Sequence, residues 1–164
     1  GLIRVQEFFK FEQLIICRAD HAESAKLHEE INANYEEFMA SLGLAYRRLL
    51  ICSGDLSLSK VKQYDTEFWL PSQNTYREGS SASYFHDFQT RRFNIRYRGA
   101  DNKTRFAHSL NNTAAATPRL LAAIVENYQQ VDGSIKVPAV LVPFFGQTVI
   151  SVPHGQSTSG TQAD

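Results

Sequence analysis

Two short stretches of the chain hold the residue types best suited to chemistry. In Tyr76-Arg77-Glu78-Gly79-Ser80-Ser81-Ala82-Ser83 a carboxylate stands among small hydroxyl residues, in a run that reads as a strand. In Asn111-Asn112-Thr113-Ala114-Ala115-Ala116-Thr117-Pro118-Arg119 a polar turn leads into a helix with an arginine in its first turns. A cation there opposes the helix macrodipole, so Arg119 reads as placed to meet an anion, with a surface salt bridge as the plainer alternative. Glu78 taken alone reads equally as a strand carboxylate paired with Arg77 or Arg92. A third feature lies at the start of the chain, where Phe8 falls between Gln6 and Lys10. An exposed aromatic beside cations is a platform on which a base can stack, and an ordinary edge contact is the alternative.

The composition narrows what these residues can belong to. Hydrophobic residues make up 43% of 164, enough for one packed core and no sign of two domains. Lys and Arg number 17, as do Asp and Glu, so any contact with nucleic acid has to be a local patch rather than a global basic field. Cys17 and Cys52 sit in apolar runs and read as buried thiols, and two cysteines offer no zinc pattern. His21, His28, His86, His108 and His154 show no ligand spacing, and no Ser-His-Asp or Cys-His arrangement stands out. No signal peptide or apolar run of membrane-spanning length is seen, and a reducing, cytoplasmic compartment fits. The chain starts on Gly1 and its methionine is Met39, which predicts a natural start further upstream.

The elements that must position these residues follow from periodicity. Alternation over Ile3 to Phe11 predicts a strand with Arg4, Gln6, Phe8, Lys10 and Glu12 on one face and Ile3, Val5, Phe9 and Phe11 on the other, continuing through Leu14 to Cys17. From Ala22 to Leu42 the apolar positions Leu27, Ile31, Tyr35, Phe38, Met39 and Leu42 have helical spacing, with Gly43 as the stop. Strands are predicted over Tyr46 to Ser53, Tyr64 to Leu70, Thr75 to Ser83, Asn94 to Arg98 and Thr104 to Leu110. In the second of these, Asp65, Glu67 and Trp69 share one face, and Thr66, Phe68 and Leu70 the other. A helix then runs to about Gln129 with Leu120, Leu121, Ile124, Val125 and Tyr128 inward, starting either at Thr117-Pro118 as cap and first position or nearer Ala114. Val137 to Pro143 reads as a short cap and Gly155 to Asp164 as a frayed tail. Strands that follow one another without intervening helices predict an α+β fold, an antiparallel sheet flanked by helices.

Several of these segments resemble the motifs of the seryl-tRNA synthetases, class II enzymes. Gly1-Leu2-Ile3-Arg4-Val5-Gln6-Glu7-Phe8-Phe9-Lys10-Phe11-Glu12 resembles the second half of the family's motif 2, G-L-x-R-V-H-Q-F-x-K-V-E, with Gln6 for His and Glu7 for Gln. Glu78 and Ser81 match the E-x-x-S element, although strict alternation would put them on opposite faces unless Gly79 permits a bend. The stretch from His108 to Arg119 resembles the N-N-T-A-L-A-T-P-R form of motif 3, with Ala115 for Leu. The resemblance runs from Gly1 to about Gly146 in family-like order, dividing the chain into a partial catalytic domain, 1–146, and a C-terminal extension, 147–164.

The resemblance implies the rest. ATP would be held by Val5, Phe8, Glu78, Gly79, Ser80, Ser81 and Arg119, with adenine on Phe8 and the phosphates at Glu78 and Arg119, the two catalytic residues. Glu78 would act through Mg2+, because a triphosphate needs divalent countercharge for displacement at the α-phosphorus. Serine would be bound by Glu12, Asn111 and Thr113. The activity implied is serine–tRNA ligation, with serine, ATP and tRNA-Ser as partners and a homodimer in the complete enzyme. The family's coiled-coil arm, motif 1, serine-binding loop and leading motif 2 arginine have no counterpart in this sequence. A non-catalytic relative, serving as a nucleotide- or protein-binding module, is therefore the alternative. Arg91, Arg92, Arg96, Arg98, Lys103 and Arg105, with Tyr97 among them, form a basic cluster that reads either as a tRNA contact or as solvated strand ends.

Overall fold

A computed structural model describes residues 2–152. Its centre is a five-stranded antiparallel sheet in the order β1-β7-β4-β3-β2, built from β1 (Lys10–Cys17), β2 (Tyr46–Leu50), β3 (Lys62–Leu70), β4 (Thr75–Tyr84) and β7 (His108–Ala116). Helix α1 (His21–Ser41) lies across one face. Asp20 caps it by accepting from the Glu23 amide, and Gly43 at φ 68° closes it. Ile31, Tyr35, Met39 and Leu42 seal against Phe68, Leu70, Ala82, Tyr84 and Leu110. Polar groups interlock the same contact: Asn112 Nδ2 and Gln13 Nε2 both donate to the Ile31 carbonyl, at 2.7 and 3.1 Å. Two such anchors on one carbonyl leave α1 little freedom to slide along the sheet.

Helix α3 (Thr117–Tyr128) follows β7 directly and packs Leu120, Ile124 and Tyr128 on the core cluster around Met39. Leu121 and Val125, predicted inward, are exposed; the helix buries only the stripe that reaches Ala123, and its other apolar positions face out. Thr117 is not the cap. Ala116 is, and Thr117 instead directs its amide and hydroxyl to the Phe9 carbonyl.

That contact explains the largest departure from the sequence reading. Residues 2–9 form turns and bends, and β1 begins only at Lys10. The carbonyls that a strand would offer to a neighbour are taken by the start of α3: Phe9 by Thr117, and Ile3 by Arg119 Nε at 3.3 Å. Other predicted strands are shorter for equally local reasons. Asn94 is the left-handed cap of helix α2 (Phe88–Phe93), leaving Arg96–Arg98 as β5. Ala107 bonds back to Ile95, which splits the predicted Thr104 to Leu110 strand into β6 (Thr104–Phe106), paired with β5, and β7. Cys52 lies beyond the end of β2 and is exposed, while Cys17 is half-buried; neither is the fully buried thiol expected.

Val142–Phe145 forms the short helix α4 after a 3-10 turn at Ala139–Leu141, as the expected cap. Strand β9 (Val149–Ile150) pairs back on β8 (Ile135–Lys136), so residues 147–150 are tied to the body. The predicted frayed tail, 155–164, lies outside the described residues.

Candidate active site

The register of the sheet decides which side chains can meet. Across β3 and β4, Asp65 opposes Ser81 and Thr66 opposes Ser80, yet Glu67 opposes Glu78, so Gly79 is an extra, bulged residue. The bulge shifts the alternation by one. Glu78 and Ser81 consequently share the face opposite α1, as the E-x-x-S spacing requires. Space dictates glycine here. A Cβ at position 79 would lie 2.6 Å from Phe68 Cδ1 and closer still to Tyr35 Oη, both beneath the sheet.

A second register shift does the same work on β7. Phe11 opposes Ala115 and Glu12 opposes Thr113, which leaves Ala114 as the bulge and sets Glu12 beside Thr113. The Thr113 hydroxyl donates to Glu12 Oε2 at 3.4 Å, and Lys10 Nζ lies 2.7 Å from the same oxygen. Because Ser83 opposes Asn111, Asn111 joins this polar face as well.

Above it opens a cleft of about 280 Å³, lined by Ile3, Val5, Phe8, Lys10, Glu78 and Arg119 among others, with Gly79 and Thr113 on its floor. Sequence-distant groups converge here, from the N-terminal loop, β4, β7 and the start of α3. Phe8 is half exposed. Arg119 spans the cleft: Nη1 donates to the Glu78 carbonyl at 2.7 Å and lies 3.6 Å from the Glu78 carboxylate. A cation held at the first turn of a helix that lacks a side-chain cap makes this end of α3 a place for an anion.

Not every predicted site residue lines the cleft. Ser80 is buried on the α1 side, its hydroxyl bonded to Asn112 Oδ1 and, at 3.0 Å, to the Thr113 carbonyl, so its side chain braces β4 against β7. Ser81 and Asn111 stand on the correct face beyond the cleft's lining. Of the two β3 carboxylates on the same face as Glu78, Glu67 is held by Arg47 at 2.6 Å and Asp65 accepts from Gln63 at 2.7 Å. Sequence reasoning missed Tyr35, which supports the bulge from 44 positions upstream of it. Burial pushes its phenol far up, with the Glu78 carboxylate adding to the effect, so it stays neutral. Only the helical periodicity placing Tyr35 inward could have hinted at it.

A divalent cation can be tested against these residues. Among the described residues no group of three or more His, Cys, Asp and Glu could hold a metal. Among the described residues, Glu78 is the one carboxylate lining the cleft. That suits Mg2+, which takes one or two carboxylates and completes its shell with phosphate oxygens and water, and suits no metal needing a protein cage.

Residues 1–128 match the tRNA synthetase class II core domain, the model for the glycine, histidine, proline, serine and threonine enzymes. The chain belongs to that family. Within it, 146 residues, 89% of the chain, are 48% identical to the serine–tRNA ligase of Deinococcus radiodurans, covering 34% of that protein. The serine–tRNA ligase of Synechococcus elongatus is 49% identical, over 93% of the chain and 36% of its own length. Among solved structures, the seryl-tRNA synthetase of Pyrococcus horikoshii complexed with ATP superposes with a TM-score of 0.88 at 44% identity, over 93% of this chain and 34% of that one. The cytoplasmic serine–tRNA ligase of Naegleria fowleri in complex with AMP gives 0.85 at 40% identity, over 92% and 36%. The chain thus spans about a third of the length of these relatives. Among the described residues no helix is long and apolar enough to cross a membrane.

Proposed function

We propose that this chain is part of the catalytic domain of a serine–tRNA ligase, which activates serine with ATP to seryl-adenylate and transfers it to tRNA-Ser. The observation that carries the reading is the meeting of Phe8, Glu78, Thr113 and Arg119 around one cleft, on a fold matched by seryl-tRNA synthetases complexed with ATP and with AMP. Adenine stacks on Phe8 beside Val5, Gly79 forms part of the floor with Ser80 bracing the strand beneath, and Arg119 takes the phosphates by exchanging its contact with Glu78 for an anion. Glu78, once freed from Arg119, would hold Mg2+, whose charge would offset that of the triphosphate, with Ser81 on the same face. Serine lies toward β1, its ammonium on Glu12 and its remaining polar atoms near Thr113 and Asn111.

In the reaction, the serine carboxylate attacks the α-phosphorus and pyrophosphate leaves. Attack needs no general base, because a carboxylate is already the nucleophile, so the residues' work is to position the groups and offset charge. A hydroxyl of the tRNA terminus then takes the seryl group and releases AMP. Polar groups left unpaired by alanine make the site selective for serine. The catalytic part is residues 1–146 with 147–164 as an extension, the complete enzyme is a homodimer, and it works in the cytoplasm. Exchange of labelled pyrophosphate into ATP, with serine, alanine or no amino acid added, tests the reading. Serine-dependent exchange abolished by Arg119→Ala is expected; a chain that binds neither ATP nor AMP overturns it.

A further inference from the structure

Three histidines gather around Tyr84 at the end of the sheet remote from the cleft. His21 opens α1, His86 follows the end of β4 and His108 begins β7. Their ring centroids lie 5.8, 4.7 and 5.8 Å from that of Tyr84. The cleft opens beyond Ala116 at the other end of β7, a strand length of about 27 Å away at ~3.4 Å per residue. Among the described residues no three His, Cys, Asp or Glu side chains converge on one point. Two imidazole nitrogens here do, and a phenol oxygen stands beside them.

The hydrogen bonds fix where the protons are. The Ser24 hydroxyl donates to the Asp20 carbonyl at 2.8 Å, so His108 Nδ1, 2.9 Å from Ser24 Oγ, is the donor in that pair. His108 Nδ1 then has no lone pair for the Tyr84 hydroxyl 3.2 Å away, which donates instead to His21 Nδ1 at 3.4 Å. His21 Nδ1 is therefore unprotonated, and its lone pair also faces His86 Nε2 at 3.3 Å. That separation is long for a hydrogen bond. Two nitrogens bound at about 2.0–2.1 Å to one tetrahedral ion stand about 3.3–3.4 Å apart, so the pair already has the spacing of two ligands. His86 is held rigidly, at φ 49°, with its carbonyl accepting from the Ser109 amide at 3.0 Å. His21 is exposed, which gives an ion a path from solvent. The carboxylates acting on these rings are Asp20 and Asp87. Asp87 is engaged by Arg91 at 2.8 Å, and Asp20, capping α1, offsets the positive end of that helix.

We propose that His21 and His86 form a site for a divalent, imidazole-preferring transition ion of the Zn2+ class, clamping the start of α1 to the end of β4. His21 Nδ1 offers its lone pair as it stands. His86 moves its proton from Nε2 to Nδ1 to offer the second, and water fills the remaining positions. The Tyr84 hydroxyl, losing His21 as its acceptor, turns to a metal-bound water. Imidazole ligands favour Zn2+, Ni2+ and Cu2+ over Mg2+, so this site does not compete for the ion assigned to Glu78. The inference stands whether or not the chain activates serine.

The test titrates the full chain, free of any histidine tag, with Zn2+ alone and then with Co2+ as a visible-light reporter. One ion per chain is expected, raising Tm by about 5–10 °C at a free concentration a hundred times Kd and reversed by a chelator. His21→Gln and His86→Gln are each expected to weaken binding at least about 100-fold, more than the loss of a supporting contact costs. Because His21 is exposed, His21→Gln leaves the core intact and keeps the test readable if His86→Gln lowers stability. Cys52→Ser, which removes the exposed thiol, is expected to bind as wild type. Bound Co2+ is expected to show d–d bands without a thiolate charge-transfer band. No binding, wild-type affinity in either histidine variant, a thiolate band, or displacement of Zn2+ by an equal concentration of Mg2+ overturns the site.

Discussion

Gly79→Ala is the sharpest perturbation available, because one methyl group addresses the packing, the register and the site together. The added carbon would stand 2.6 Å from Phe68 Cδ1 and nearer still to Tyr35 Oη, where carbon contacts need well over 3 Å. Phe68 and Tyr35 are only 1% and 3% exposed, so neither ring can swing into solvent. Relief has to come from shifting two packed rings or from undoing the bulge. The first is overpacking and costs about 1–3 kcal/mol. The second turns Glu78 out of the face it shares with Ser81 and strips Arg119 of its partner. For a chain of this size about 2 kcal/mol lowers Tm by about 4–8 °C. Thermal denaturation with and without ATP separates the two routes. Ring displacement lowers Tm with the ATP-induced shift intact, whereas loss of the bulge also weakens ATP binding by about tenfold or more. Combining Gly79→Ala with Tyr35→Phe and Phe68→Leu opens the space and is expected to recover part of the loss relative to the same double variant bearing glycine. A Gly79→Ala chain with wild-type Tm and ATP affinity would refute the argument that space beneath the strand demands glycine.

Other outcomes follow from the same geometry. Phe8→Ala removes the stacking surface and should weaken ATP by about 1–3 kcal/mol in a binding titration, with Phe8→Tyr close to wild type. Glu12→Gln should raise the KM for serine in pyrophosphate exchange and leave the KM for ATP nearly unchanged, since Glu12 sits with Thr113 away from Arg119. Stability should fall in mild acid. Burial lowers the values of His28, His86 and His108, and the latter two also repel each other or His21 as they charge. A depressed folded value means that their contribution is complete above the unfolded value near 6.5 and is lost as pH falls through the folded values. Denaturant midpoints should therefore be flat above about pH 7 and drop below it; a midpoint constant down to pH 5 would contradict the burial of these rings.

Much of this architecture was legible before any coordinates. Period-two and helical patterns located α1, β3 and β4 because their buried faces are continuous, as in the Thr66, Phe68, Leu70 series. Motif spacing singled out Phe8, Glu78, Thr113 and Arg119, which the fold brings to one cleft. What the pattern could not convey was set by contacts between distant segments. Ile3 to Phe9 alternates like a strand, but its carbonyls belong to Thr117 and Arg119, over a hundred positions later. Ser80 has the composition of a ligand residue, yet the extra residue beside it sends its hydroxyl to Asn112. The histidines His21, His86 and His108 have no spacing in common and gather around Tyr84 only because three strand and helix ends meet there.

Among the described residues, strand β1 is the outermost strand of the central sheet, hydrogen-bonded there to β7 alone. Glu12 is on it and Phe8 lies two residues before it begins, so the groups assigned to serine and adenine belong to the part of the sheet that opens at least cost. Occupancy and local order are then one equilibrium: a nucleotide drawing Phe8 and Arg119 together must also hold the first residues of β1 closed. Amide hydrogen exchange at Lys10 to Leu14 would accordingly report ligand binding directly, slowing with saturation while the amides of β3 and β4, paired on both sides, stay as they were.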